Sequence, residues 1–197
     1  MSFRIIKPGF LATVQDTGRY GYADRGVSQS GVADEHAYHW ANRLLDNHVN
    51  DAVAEVTIGN CEWQALDDME IVITGADLGF TIDDKAIPLW QTLLIKQDQV
   101  IRCDSAGQGS GIRAVIAVKG GFQTEPQFGS RAVNLREQMG QALQAGESIM
   151  TLPLTSEART RRAIPYYYKP AYQEPLILRL IPSYQYELFT QEQKGTV

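Results

Sequence analysis

Between Ala52 and Val118 short apolar runs alternate with clusters of Gly, Asp and Asn, and inside the runs β-branched residues recur at every second position. That period suits a half-buried strand, because successive side chains of an extended chain leave opposite faces. The pattern predicts strands over 52–58, 69–74, 78–82, 86–90, 99–103 and 112–118, arranged as a meander or barrel. Asp83-Asp84-Lys85 and Ala65-Leu66-Asp67-Asp68 carry turn chemistry and are expected at two hairpin tips.

One stretch has a different period. Ala37, Trp40, Ala41, Leu44 and Leu45 fall at i, i+3, i+4, i+7 and i+8, the spacing that lines one face of a helix, and predict an amphipathic helix over about 34–46. Asp34 or Ser30 can supply the N-cap acceptor, and Glu35 places negative charge in the first turn, where the helix dipole favours it. Past residue 153 the periodicity fades into Arg, Thr, Pro165, Tyr166-Tyr167-Tyr168 and Pro170. The expected organisation is one β domain over 1–153, a connector over 154–175, and the first strand or strands of a second, truncated β domain over 176–197. A strand at 176–181 cannot satisfy its own backbone, so it must join a sheet or be the stub of one.

Composition narrows the function classes. The 197 residues are 44% hydrophobic and 21% charged, ordinary values for a soluble folded chain. A formal net charge of −5 gives no basis for holding a polyanion, and nucleic acid is excluded as a partner. No run of about 18 apolar residues suggests a membrane span, and the start shows no signal-peptide pattern, so a cytoplasmic location is expected. Cys61 and Cys103 are too few and too distant in sequence for a disulfide framework or a Cys-x-x-Cys site, and both are read as buried thiols.

Polar residues gather in three places. Gln15-Asp16-Thr17-Gly18-Arg19-Tyr20-Gly21, followed by 26–34 with Ser30 and Asp34, interleaves glycine with charge and reads as loops that turn sharply or approach a ligand. Glu55 and Thr74-Gly75 stand where predicted strands end. Lys119-Gly120-Gly121 and Gly129-Ser130-Arg131 offer two cations and flexible backbone N–H groups, the equipment for gripping a carboxylate or phosphate. Lys119 precedes its glycines, so the phosphate-loop pattern is not met. The histidines His36, His39 and His48 match no zinc motif, and no metal is expected. Turn and capping chemistry accounts for each cluster as well as ligand binding does.

Taken in order, the segment from Pro8 to Gly21, the segment from Gly26 to Asp34 with Ala41-Asn42, then Glu55 to Gly59, Thr74-Gly75-Ala76, and Arg113-Ala114 through Lys119-Gly120-Gly121 to Gly129-Ser130-Arg131 resemble the allophanate hydrolase subunit 2 family, also called the carboxyltransferase subdomain A and B family. The sequence departs from that pattern at Asn60-Cys61, Ser28-Gln29 and Gln141. The resemblance implies a mainly β, cyclophilin-like β-barrel, commonly two in tandem, and places the end of this chain where relatives continue into the second.

The resemblance also implies three settings: a subunit of ATP-dependent 5-oxoprolinase, a biotin-dependent carboxyltransferase of the urea carboxylase type, or a regulator that antagonises a histidine-kinase inhibitor. The first is preferred because no biotin carrier segment is seen. It implies ATP used by the complex, biotin only under the second setting, and as partners a homologous first-subunit protein and a lactam-utilisation protein. Either reaction must hold a planar amide or ureido group and stabilise charge developing on its oxygen. Asp16, Arg19, Asp34 and Glu55 are the candidate catalytic residues. Gln15, Ser30, Thr74, Gly75, Lys119, Gly120, Gly121, Ser130 and Arg131 are candidates for substrate binding. The alternative that these ions pair with one another to fix loops stays open.

Overall fold

Twelve strands among the described residues form two antiparallel sheets. The computed structural model describes residues 1–105, 111–152, 161–172 and 181–194. One sheet runs β11 (Phe122–Gln123), β12 (Ser148–Thr151), β1 (Ser2–Lys7), β4 (Gly59–Ala65), β9 (Val100–Ser105), β6 (Thr81–Ile82), β7 (Lys85–Ala86). The other runs β2 (Leu11–Gln15), β3 (Val53–Thr57), β10 (Arg113–Val118), β5 (Met69–Gly75), β8 (Thr92–Ile95). The mainly β expectation holds, but the expected barrel takes the form of two facing sheets: no ladder among the described strands closes one onto the other.

Burial explains the two kinds of sequence pattern. In β4 Cys61, Trp63 and Ala65 face the core while Asn60, Glu62 and Gln64 point outward, so its sequence alternates. The sheet with β10 is covered on both sides. Ala114, Ile116 and Val118 face the other sheet, whereas Val115 and Ala117 face the helix α1 (Glu35–Leu44), so the sequence is continuously apolar. Phe3, Trp63, Ile71, Ile73 and Ile101 lie fully buried between the sheets, each worth about 1.5–3 kcal/mol of apolar burial. Cys61 and Cys103 face each other across β4 and β9 in this core as free thiols. Hydrogen bonding between them and burial raise the Cys61 thiol well above its ordinary pKa.

The helix begins as expected, with Asp34 Oδ1 accepting from the Ala37 N–H at 2.9 Å. It ends before 46, because Leu45 closes it and Asp46 takes a left-handed φ of 50°. Its buried face is Ala37, Tyr38, Ala41, Asn42 and Leu44, rotated from the expected stripe so that Trp40 stands at the margin. Trp40 packs there against His36 and Tyr168.

Two strand expectations and one turn expectation need correction. The 78–82 run pairs only at Thr81–Ile82, and the 86–90 run only at Lys85–Ala86. Leu78, Phe80 and Trp90 are buried without joining a ladder, Pro88 has no N–H to donate, and Trp90 sits at φ 63°. The Ala65–Asp68 turn is no hairpin tip: β4 and β5 belong to different sheets, and the turn carries the chain between them. It is tied down by Leu66 N–H to Ser2 O and by Ser2 N–H to Asp67 Oδ2. Asp83-Asp84 does turn between β6 and β7. Residues 161–172, read as connector, lie against the domain, with Ala163 bridged to Gln91 and the Tyr172 hydroxyl bonded to Asp34. The strand expected at 176–181 lies outside the described residues except for Ile181. No helix among the described residues is long and apolar enough to cross a membrane.

Candidate functional site

Strand polarity sorts the candidate residues to two ends of the β2–β3–β10–β5 sheet. Register pairs Gln15 with Val53 and Leu11 with Thr57, while Arg113 pairs with Thr57 and Ala114 with Gly75. Gln15-Asp16 and Val118-Lys119 therefore lie at one end, and Thr57, Arg113 and Gly75 at the other. The helix spans between them, from Thr74 near its start to Lys119 at its finish.

At the first end Asp16 is a hub. Its side chain is 1% exposed, and its oxygens accept from the Gly18 N–H at 2.8 Å, the Ser130 hydroxyl at 2.6 Å and the Arg131 N–H at 2.7 Å. A carboxylate this far from water persists only with such donors. Gly18 is required for close approach: a Cβ there would lie 2.6 Å from the carbonyl oxygens of Gln29 and Ser30. Arg19, also buried, donates through Nε to Gln127 O at 3.2 Å and through Nη2 to Ala132 O. Ser30, at φ 58°, accepts from the Asn134 side chain at 2.9 Å. Gln15 donates to the Thr13 hydroxyl at 3.0 Å and Val133 O at 3.1 Å. The loops at 15–31 and 127–139, more than a hundred residues apart in sequence, are thus stitched together. At their rim the Ser28 hydroxyl and N–H hold the Glu137 carboxyl below its ordinary pKa.

Lys119, Gly120 and Gly121 stand at the same end but serve the helix. Lys119 Nζ donates to Leu45 O and, at 3.4 Å, to Asp46 O, where the helix dipole favours a cation. The Gly120 N–H donates to the Asn47 side chain at 2.8 Å, and a Cβ on Gly121 would lie 2.9 Å from that of Asp51.

The second end holds an ion pair. Glu55, 5% exposed, accepts from the Ala33 N–H at 2.8 Å and from Arg113 Nη1 at 3.2 Å, while Nη1 also reaches the Thr57 hydroxyl at 3.2 Å. The Arg113 side chain is 40% exposed, so one edge of the guanidinium is held and another faces solvent. Beside it Asp34 caps the helix through one oxygen and accepts from the Tyr172 hydroxyl at 2.9 Å through the other. Burial first, and then the Asp34 charge, raise the Tyr172 hydroxyl above its ordinary pKa. Thr74 donates to Ala37 O at 2.8 Å, and Gly75 passes so close to β10 that a Cβ would lie 2.7 Å from Arg113 O.

Residues 25–197 match the carboxyltransferase domain, subdomain A and B. The chain belongs to this family. It is 33% identical over 137 residues to a 5-oxoprolinase subunit of Escherichia coli (strain K12), covering 70% of this chain and 44% of that protein. It is 27% identical over 183 residues to a putative urea carboxylase of Emericella nidulans, covering 90% of this chain and 15% of that protein. The chain thus spans less than half the length of these curated relatives. Among solved structures, TTHA0988 superposes with a TM-score of 0.79 at 27% identity, over 93% of this chain and 36% of that one. The Kluyveromyces lactis urea carboxylase superposes with a TM-score of 0.76 at 24% identity, over 86% of this chain and 16% of that one, a likeness of fold.

In this carboxyltransferase-family chain the nominated residues therefore form two groups. Gln15, Asp16, Arg19, Ser30, Ser130 and Arg131 interlock at one end, with Lys119, Gly120 and Gly121 beside them on the helix terminus. Asp34, Glu55, Thr74 and Gly75 gather toward the other. They open on different hollows: Ser30 on one of about 150 Å³, Arg131 on one of about 390 Å³ and Gly75 on one of about 610 Å³. A further hollow of about 270 Å³, beside Glu70 and Arg161, touches none of them. Arg113, Thr57, Asn134 and Tyr172 received no role from sequence reasoning. The relation of Arg113 to Glu55 and Thr57 follows from register: the three occupy one face of the paired strands β3 and β10.

Proposed function

We propose that this chain is part of a subunit of an ATP-dependent 5-oxoprolinase, which hydrolyses 5-oxo-L-proline to L-glutamate together with partner subunits. The observation that carries the reading is the likeness to 5-oxoprolinase subunits of two bacteria, 33% identity with the Escherichia coli protein and 32% with that of Haemophilus influenzae. In this reading Arg113 is the contact for the lactam. Its exposed edge offers donors to the amide oxygen as charge develops there, and Glu55 and Thr57 fix its orientation. Glu55 is then a positioning residue, and Asp16 builds the scaffold at the opposite end.

ATP belongs to the assembled complex in this account. Arg19 and Lys119 already donate to backbone carbonyls, and Arg131 stands apart from Arg113 at the other end of the sheet, so these residues do not fit a triphosphate. No step is assigned to ATP on this chain. The expected partners are a homologous first-subunit protein and a lactam-utilisation protein.

Reconstitution tests the reading. The protein mixed with those partners, ATP and 5-oxoproline should release glutamate. Equal release from the mixture lacking this protein would remove the assignment. The 90% coverage in the match to the putative urea carboxylase supports a second reading, a biotin-dependent carboxyltransferase. Transfer of carboxyl from carboxybiotin to urea, without lactam opening, would favour it. A stable complex with neither activity would favour a regulatory role.

A further inference from the structure

Where β2 approaches β12 at the sandwich edge, the segment from 123 to 150 folds over a cavity of about 390 Å³. That volume suits a small molecule, since ligand pockets run from about 300 to 1,000 Å³. Val14, Val133, Leu143 and Ile149 give it an apolar wall, while Arg131, Glu125 and Glu147 stand on the same lining. No ion pair among the described residues joins Arg131 to either glutamate. Opposite charges thus share one cavity without neutralising each other.

Arg131 is held from behind. Its Nε donates to Thr124 O at 2.9 Å, and its Nη2 makes a long contact of 3.4 Å with Gln123 Oε1. That anchoring fixes the guanidinium plane and leaves Nη1 without a partner among the described residues. The Thr124 hydroxyl, on the same wall, is buried and also without a partner among the described residues. Buried hydroxyls nearly always find one, and a turn of the Thr124 side chain toward the cavity would bring this donor to a ligand on Arg131. Glu147 spends one oxygen on the Gln144 N–H, at 2.9 Å, and Glu125 has no bond of its own among the described residues.

We infer that this cavity binds a free α-amino acid with an uncharged aliphatic side chain. Its carboxylate lies on Arg131 and Thr124, its ammonium on Glu125 and Glu147, and its side chain against the apolar wall. A simple anion would meet two carboxylates, and a simple cation would meet the guanidinium. A zwitterion satisfies both signs at once, and the planar guanidinium fork matches a carboxylate. The inference is independent of the proposed reaction, whose contact residue, Arg113, lies at the other end of the sheet.

Isothermal titration of the 197-residue chain with four probes tests it. L-Leucine should bind saturably at one site. Leucinamide, which lacks the carboxylate, and 4-methylpentanoate, which lacks the ammonium, should each bind at least about tenfold more weakly, a difference of about 1.4 kcal/mol. L-Glutamate should bind more weakly than leucine. Arg131→Gln should abolish binding. Because Arg131 also holds the Thr124 carbonyl, Thr124→Val and Glu147→Gln provide the second arm: each should weaken leucine binding with the melting temperature unchanged. Absence of a saturable heat with leucine at millimolar concentration overturns the inference, as does equal binding of leucine and its two truncated analogues. Tighter binding of glutamate than leucine overturns the side-chain assignment.

Discussion

The two ends of the central sheet use charge in opposite ways. At the Asp16 end the charged groups are turned inward: Asp16 accepts three internal donors, Arg19 donates to carbonyls, and Lys119 closes a helix. At the Glu55 end a buried carboxylate holds an arginine whose other edge meets solvent. Both ends are rich in the residue types that catalysis uses, yet Asp16 and Lys119 are spent on the fold, whereas Arg113 at the second end, and Arg131 beside the first, each keep one edge of the guanidinium free among the described residues. Residue type therefore nominates a site poorly. What separates architecture from chemistry is whether donors and acceptors are already spent.

The largest expected effect breaks the first end. Asp16→Ala strands the Ser130 hydroxyl and the Gly18 and Arg131 N–H groups inside the protein and should cost about 3–5 kcal/mol in a urea melt, the scale for removing one partner of a buried charged network. Gly18→Ala should cost about 1–3 kcal/mol, because it combines a strained φ with a clash against two carbonyls. Thr74→Val removes the donor to Ala37 O inside the sheet–helix layer and should cost about 1–2 kcal/mol, a loss confined to docking of α1.

The smallest effect is a pH dependence. Ser28 depresses the Glu137 pKa in the folded state below its ordinary 4.5, so the native protein binds fewer protons than the unfolded chain in that range. The linked stability is present above pH 4.5 and is lost as the pH falls through the lower folded value. Ser28→Ala should flatten that slope below pH 4.5 and lower stability at pH 7 by the same small amount, small because the pair lies at the surface.

The fold was legible where burial imposes a pattern. β10 and the centre of β5 are covered on both faces and announce themselves as continuous apolar runs, and α1 does so through its cap and its period. Burial misled where it was not accompanied by pairing, at Leu78, Phe80 and Trp90, whose apolar runs pack as loop. Short strands such as Phe122–Gln123 are set by a neighbour and leave almost no local trace. The candidate site was legible only as a set of nominations. Asp16 and Ser130 meet across a separation of 114 residues, and no local pattern says that the one saturates the other. Arg113 was hidden because its partner Glu55 lies on an adjacent strand, visible only once register is known.

The division between a scaffold end and a proposed reacting end is tested most directly by Arg113→Gln in the reconstituted assembly, with kcat/KM for 5-oxoproline and the melting temperature measured on the same preparation. The account predicts a fall of about 10²–10³-fold in kcat/KM, the scale for losing one preorganised donor, with the melt displaced by no more than a few degrees. Activity retained in full, or lost only in proportion to unfolding, would contradict it.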